Sequence, residues 1–102
     1  MINLIKRFFK PSADFAKLVK EGALIIDVRT AAEYGAGHIE GSGNIPLDKL
    51  KGEIRLLKQA DKPIITVCRS GSRSGMAKSI LKAAGLEVYN GGAWTNLKKK
   101  IQ

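Results

Sequence analysis

The chain has one cysteine, one histidine and one tryptophan among its 102 residues. A single thiol rules out an internal disulfide, and that fits a reducing compartment. A metal site needs several ligands, and the lone His38 has no group of partners around it in the sequence, so no metal is expected. No apolar run reaches the ~18–20 residues that a membrane-crossing helix needs. The opening MINLIKRFFK is broken by Lys6 and Arg7. It lacks the ~7–15-residue apolar segment and small-residue cleavage site of a secretory signal. The expectation is a cytoplasmic protein without a membrane role. Acidic residues are scarce too: 9 Asp and Glu stand against 18 Lys and Arg, for a net charge of +9. Such a surface draws anions. The basic residues are spread along the chain and are not interleaved with stacking aromatics, so nucleic acid is not the expected partner. The short run LKKKIQ reads as a solvated helix face.

What is present is an apolar content of 44%, ordinary for a globular protein and enough for one small core. Residues 1–102 read as a single domain, with 1–11 as an N-terminal extension, either a short amphipathic helix or a packing segment. PSADFAKLVKEG carries Ser12 as a candidate N-cap, Phe15, Leu18 and Val19 on one face, and Gly22 as a stop, which predicts a helix. ALIIDV, 23–28, and KPIITVC, 62–68, are apolar runs rich in β-branched residues and read as strands buried on both faces. TAAEYGAG predicts one or two helical turns, and GSGNIP a short strand or extended loop. Leu47, Leu50, Ile54 and Leu57 recur at helical spacing in LDKLKGEIRLLK, which predicts an amphipathic helix in spite of Gly52. Residues 73–85 predict a helix ending at Gly85, LEVYN (86–90) a strand, and AWTNLKKKI a closing helix. Strands alternating with helices predict an α/β fold with a mainly parallel sheet covered on both sides. Ligands of such sheets bind beyond the carboxyl ends of the strands, and Cys68 stands at one.

The stretch CRSGSRS, 68–74, follows that strand and precedes a helix. Small residues let it curl, and Gly71 can take a positive φ. A curled loop at a helix N-terminus turns several N–H groups toward one point and makes an anion cradle. A thiol in such a cradle, beside arginines, ionises readily, so an exposed nucleophilic thiolate is expected. The amides of residues 69–74 would equally hold the negative terminal sulfur of a persulfide, if Cys68 attacks a sulfane sulfur.

DVRTAAEYGAGHIEGSGNIP, 27–46, and CRSGSRS, 68–74, resemble the two signatures of the rhodanese-like domain family, the single-domain thiosulfate sulfurtransferases. LKAAGLEVYNGGAWTNL resembles the family's closing segment, so the similarity runs from about residue 12 to about residue 98. One departure is Gly43, where the family more often has alanine; it leaves the cysteine loop untouched. The resemblance implies a three-layer α/β sandwich around a five-stranded, mainly parallel sheet flanked by helices. It implies sulfurtransferase chemistry, with Cys68 as the catalytic cysteine and a small anionic donor such as thiosulfate. Arg69, Ser70, Gly71, Ser72, Arg73 and Ser74 become the substrate-binding loop, and Asp27, Arg29 and Glu33 its supporting residues. The family pattern suggests Arg73 as a clamp paired with an acid such as Asp27 or Glu33, with Arg69 facing solvent and substrate. Cysteine phosphatases carry the arginine six positions after the cysteine; here Arg73 lies five after Cys68, a tighter loop that disfavours phosphate or arsenate turnover. A second reading is a persulfide-carrying module with little turnover. With no second cysteine, the acceptor must be external: cyanide, or a thiol such as glutathione or thioredoxin. No organic cofactor is required. His38 reads as part of a hydrogen-bonded turn, Asp27 as a group that is either paired or solvated at the site rim, and Trp94 as a core residue.

Overall fold

A computed structural model describes residues 13–102. The extension at 1–11 and the N-cap expected at Ser12 lie outside the described residues. Helix α1 (Phe15–Lys20) is instead capped by Asp14, whose carboxylate accepts from the Lys17 amide at 3.1 Å. It stops before Gly22, whose φ of +103° is open to glycine. Strand β1 (Leu24–Asp27) then leads to α2 (Ala31–Ala36), and β2 (Gly43–Asn44) follows a turn. A 3-10 helix over Leu47–Glu53 runs into α3 (Ile54–Ala60). Next come β3 (Ile64–Cys68), α4 (Ser72–Ala83), β4 (Val88–Ala93) and α5 (Trp94–Ile101).

Two sequence expectations change here. The single helix expected over 47–58 is divided, and its first half is wound more tightly. Gly52 is a poor helix former, and Pro46 starts the segment with its carbonyl already taken by the Lys49 amide at 2.8 Å, an i→i+3 contact. The sheet has four strands among the described residues, where the resemblance implied five. Outside β1 to β4, residues 13–102 carry helical periodicity or turn residues, which leaves no further β-branched run to pair.

The strands run in the order β2-β1-β3-β4, and every pairing is parallel. Side chains alternate across the pleat and so feed two separate cores. Ile26 and Ile64 join Leu50, Leu57, Ala77 and Leu81 on one face. Ile25, Ile65 and Val67 join Phe15, Ile39 and Leu97 on the other. The 3-10 helix, α3 and α4 thus cover one face, and α1 and α5 the other. All five residues of β3 are buried. Burying one such Leu or Ile side chain is worth ~1.5–3 kcal/mol, so β3 is the best-anchored segment of the chain. Among the described residues, no helix is long and apolar enough to cross a membrane.

The β3–β4 register slips once. Thr66 faces Asn90 and Val67 faces Gly92, which leaves Gly91 bulged out of the ladder. Only glycine fits there: a Cβ would stand 2.8 Å from Ile65 Cγ2 and 2.9 Å from Val67 Cγ1.

Candidate active site

Cys68 ends β3, and the next three residues form the turn into α4. Gly71 is the N-cap of α4 and takes φ +103°, a conformation that suits glycine. That turn folds the loop back over the sulfur. The Gly71 amide donates to Cys68 Sγ at 2.9 Å, and Ser74 Oγ lies 3.4 Å from it. Burial of the thiol pushes its pKa up. The Ser74 hydroxyl and the amides of Ser74, Gly71 and Ser70 outweigh that and hold it below the ordinary thiol value of 9.0. Cys68 is only 1% exposed, which corrects the expectation of an exposed thiolate. The same curl that aims the amides at the sulfur places the loop as a roof over it.

The six loop residues do not act alike. Ser70 and Gly71 supply amides, and Ser74 supplies an amide and a buried hydroxyl. Arg69 and Ser72 are exposed, and no contact joins the Ser72 side chain to the sulfur. Arg73 turns sideways to Glu33: its two Nη atoms meet the two carboxylate oxygens at 2.7 and 2.9 Å. That guanidinium, together with the Thr30 amide, holds the Glu33 carboxyl down from the ordinary 4.5 to about 2. The pair ties the head of α4 to the head of α2, where Thr30 and Glu33 form a reciprocal capping box.

Asp27 does not meet Arg73; its partner is Arg29. Arg29 Nε lies 2.9 Å from Asp27 Oδ1, and Nη2 lies 2.7 Å from Oδ2. The side chains are 0% and 5% exposed, so the pair is buried. Arg29 Nη2 also donates to the Gly37 carbonyl at 2.7 Å, Nη1 to the Glu33 carbonyl at 3.3 Å, and the guanidinium lies over the Trp94 ring. One arginine therefore fixes both ends of α2 and, through them, the acid that meets Arg73. Trp94 is half-buried and packs on the second core, while the exposed His38 stacks on Tyr34 and bonds its carbonyl at 2.8 Å.

Two asparagines went unnoticed in the sequence. Asn44 Nδ2 donates to the carbonyls of Asp27 and Arg29, both at 3.0 Å, and closes the end of β1. Asn90 bonds Ser74 and the Gly71 carbonyl from across the sheet. A weak signal existed for the latter: a polar residue placed directly before Gly-Gly at a strand end.

A lone thiol at the carboxyl end of a central parallel strand, roofed by amides at a helix head, defines an α/β protein with its cysteine loop where ligands of such sheets bind. Within that class the chain belongs to the rhodanese-like domain family, whose model matches residues 12–98. It is 44% identical over 72 residues to the uncharacterized protein YqhL of Bacillus subtilis, matching 67% of this chain and 54% of that one. The chain thus spans about half the length of YqhL. It is 40% identical over 74 residues to the thiosulfate sulfurtransferase GlpE of Pseudoalteromonas translucida, covering 72% of this chain and 70% of that one. Its fold is similar to that of a rhodanese with anions from E. coli, with a TM-score of 0.67 and 32% identity over 74% of this chain and 91% of that one.

Proposed function

We propose that this protein is a sulfurtransferase that moves a sulfane sulfur from thiosulfate or a related donor, through a Cys68 persulfide, to cyanide or a thiol. The observation that carries the reading is the Gly71 amide 2.9 Å from Cys68 Sγ, joined by the amides of Ser70 and Ser74. These donors favour the thiolate before transfer and a negatively charged sulfur after it. Cys68 attacks the outer sulfur of thiosulfate. A new S–S bond forms, and sulfite leaves with the electron pair of the old one. Cyanide or a thiolate then attacks the outer sulfur of the persulfide. Cys68 departs as thiolate, and the product is thiocyanate or a persulfide of the acceptor. Glutathione and thioredoxin are acceptors of the required chemistry, because this chain has no second cysteine. Arg73 serves as a clamp, its charge met by Glu33, so that steering of the anionic donor falls to the exposed Arg69. That engagement also withdraws Arg73 from a phosphoryl group and disfavours phosphatase chemistry.

The 1% exposure of Cys68 favours a second reading, a persulfide carrier that loads and unloads slowly. Intact-protein mass spectrometry after thiosulfate treatment, beside thiocyanate release with cyanide, separates the two. The enzyme gains one sulfur, releases it to cyanide and turns over repeatedly; the carrier does so about once. Cys68→Ser abolishes both signals, and sulfur transfer that survives in Cys68→Ser refutes the assignment.

A further inference from the structure

Asn90 lies on β4, across the sheet from the loop, and its amide can be oriented without ambiguity. The Gly92 amide donates to Asn90 Oδ1 at 2.9 Å, and a backbone N–H needs an acceptor. The other end, Nδ2, then faces the Gly71 carbonyl at 3.3 Å, as a donor should. The atom that Asn90 presents to Ser74 is therefore the oxygen, 2.7 Å from Ser74 Oγ. The Ser74 hydroxyl has one hydrogen, and three groups lie within its reach: Asn90 Oδ1 at 2.7 Å, the Gly71 carbonyl at 3.1 Å and Cys68 Sγ at 3.4 Å. The shortest contact takes it. While Cys68 is a thiol, Ser74 thus turns a lone pair to the sulfur and accepts from the S–H. When the thiol proton leaves for bulk water, the lone pair becomes a liability, and the hydroxyl must swing from Asn90 to the thiolate.

We propose that Asn90 is a positioning residue that sets the direction of the Ser74 hydroxyl and thereby how readily Cys68 ionises. It is a brake on ionisation, acting through one hydrogen. Asn90 pairs with Thr66 just before the register slip, and past the Gly91 bulge the Gly92 amide returns to its Oδ1 and fixes the side chain. Asn90 is itself exposed, so its replacement leaves both cores intact.

The inference rests on the reading of Cys68 as nucleophile, but its test needs no sulfur donor, so the two can fail separately. Thiolate absorbance in the ultraviolet is followed against pH, with Cys68→Ser as the blank. Asn90→Ala leaves the Ser74 hydroxyl only the longer, 3.1 Å bond to the Gly71 carbonyl, a neutral acceptor that a thiolate outcompetes. The midpoint moves down, and the thiolate fraction on its acid side rises about threefold to tenfold, the worth of one ordinary hydrogen bond. In a Ser74→Ala background the same change moves nothing. A merely structural Asn90 predicts the opposite sign, since a loosened loop aims fewer amides at the sulfur. An upward shift in Asn90→Ala, or a downward shift that persists without Ser74, overturns the proposal. If Asn90→Ala does not fold, Asn90→Asp replaces it: the carboxylate grips the hydroxyl harder, the midpoint rises, and the rise shrinks once Ser74 is removed. A rise of equal size with and without Ser74 overturns the proposal.

Discussion

Replacing Arg29 with methionine should be the most damaging single change at the head of the sheet that leaves the sulfur itself untouched. The side chain makes two short bonds to Asp27 and one each to the carbonyls of Gly37 and Glu33, and it covers the Trp94 ring. Methionine fills much of the volume but donates nothing. Asp27, 0% exposed, then keeps only backbone support, chiefly the residue-29 amide at 3.0 Å. Removing one partner of a buried pair leaves a charge without solvent or counter-ion, at a cost of about 3–5 kcal/mol. A domain of this size loses roughly 4–8 °C of Tm per kcal/mol, so the expected drop is about 12–40 °C. Circular dichroism melts and urea titrations at neutral pH measure it. The decisive comparison is the double variant Asp27→Leu with Arg29→Met. If the loss comes from the stranded carboxylate, removing that carboxylate restores a large part of it. A double variant no more stable than Arg29→Met alone would refute the reasoning. So would an Arg29→Met loss below about 1 kcal/mol, the size of an exposed pair.

Two further outcomes follow from the geometry. The Glu33 carboxyl is lowered from 4.5 to about 2, so its bond to Arg73 is fully present above pH 4.5 and is lost as pH falls through about 2. Glu33→Gln should therefore flatten the acid limb of the stability curve between those values, seen as denaturation midpoints measured against pH; an unchanged slope there would contradict the assignment. Gly91→Ala drives a methyl to 2.8 Å from Ile65 Cγ2 and 2.9 Å from Val67 Cγ1, so β4 must move or the core must repack. A loss of about 1–3 kcal/mol is expected in urea titrations, and a neutral result would show that the bulge is not held by crowding.

The sheet was legible because two of its strands, β1 and β3, are dense runs of β-branched residues, and the start of β4 is marked off by Gly85 and Gly91. The position of Cys68 came with them, since a thiol that closes such a run must stand at the sheet's carboxyl end. Arg73 was legible as a clamp only with its partner undecided between Asp27 and Glu33. The choice is tertiary: Asp27 is occupied by Arg29, two residues away on the same side of the chain, and only Glu33 remains within reach. The burial of the sulfur was hidden for a similar reason. Small polar residues in the loop suggested exposure, yet the turn at Gly71 folds them into a cover. Asn90 left only the weak signal of a polar residue before Gly-Gly, because an asparagine has no reactivity of its own. Its contacts with Ser74 and the Gly71 carbonyl are tertiary, made between β4 and the head of α4.

Strand β3 lies between two cores that share no side chains, so the sulfur at its end has two independent moorings. Repacking one layer, by mutation or by drift, leaves the strand pinned from the other side. Sequence change can therefore accumulate in either layer, provided both are not reworked together, while the sulfur keeps its address.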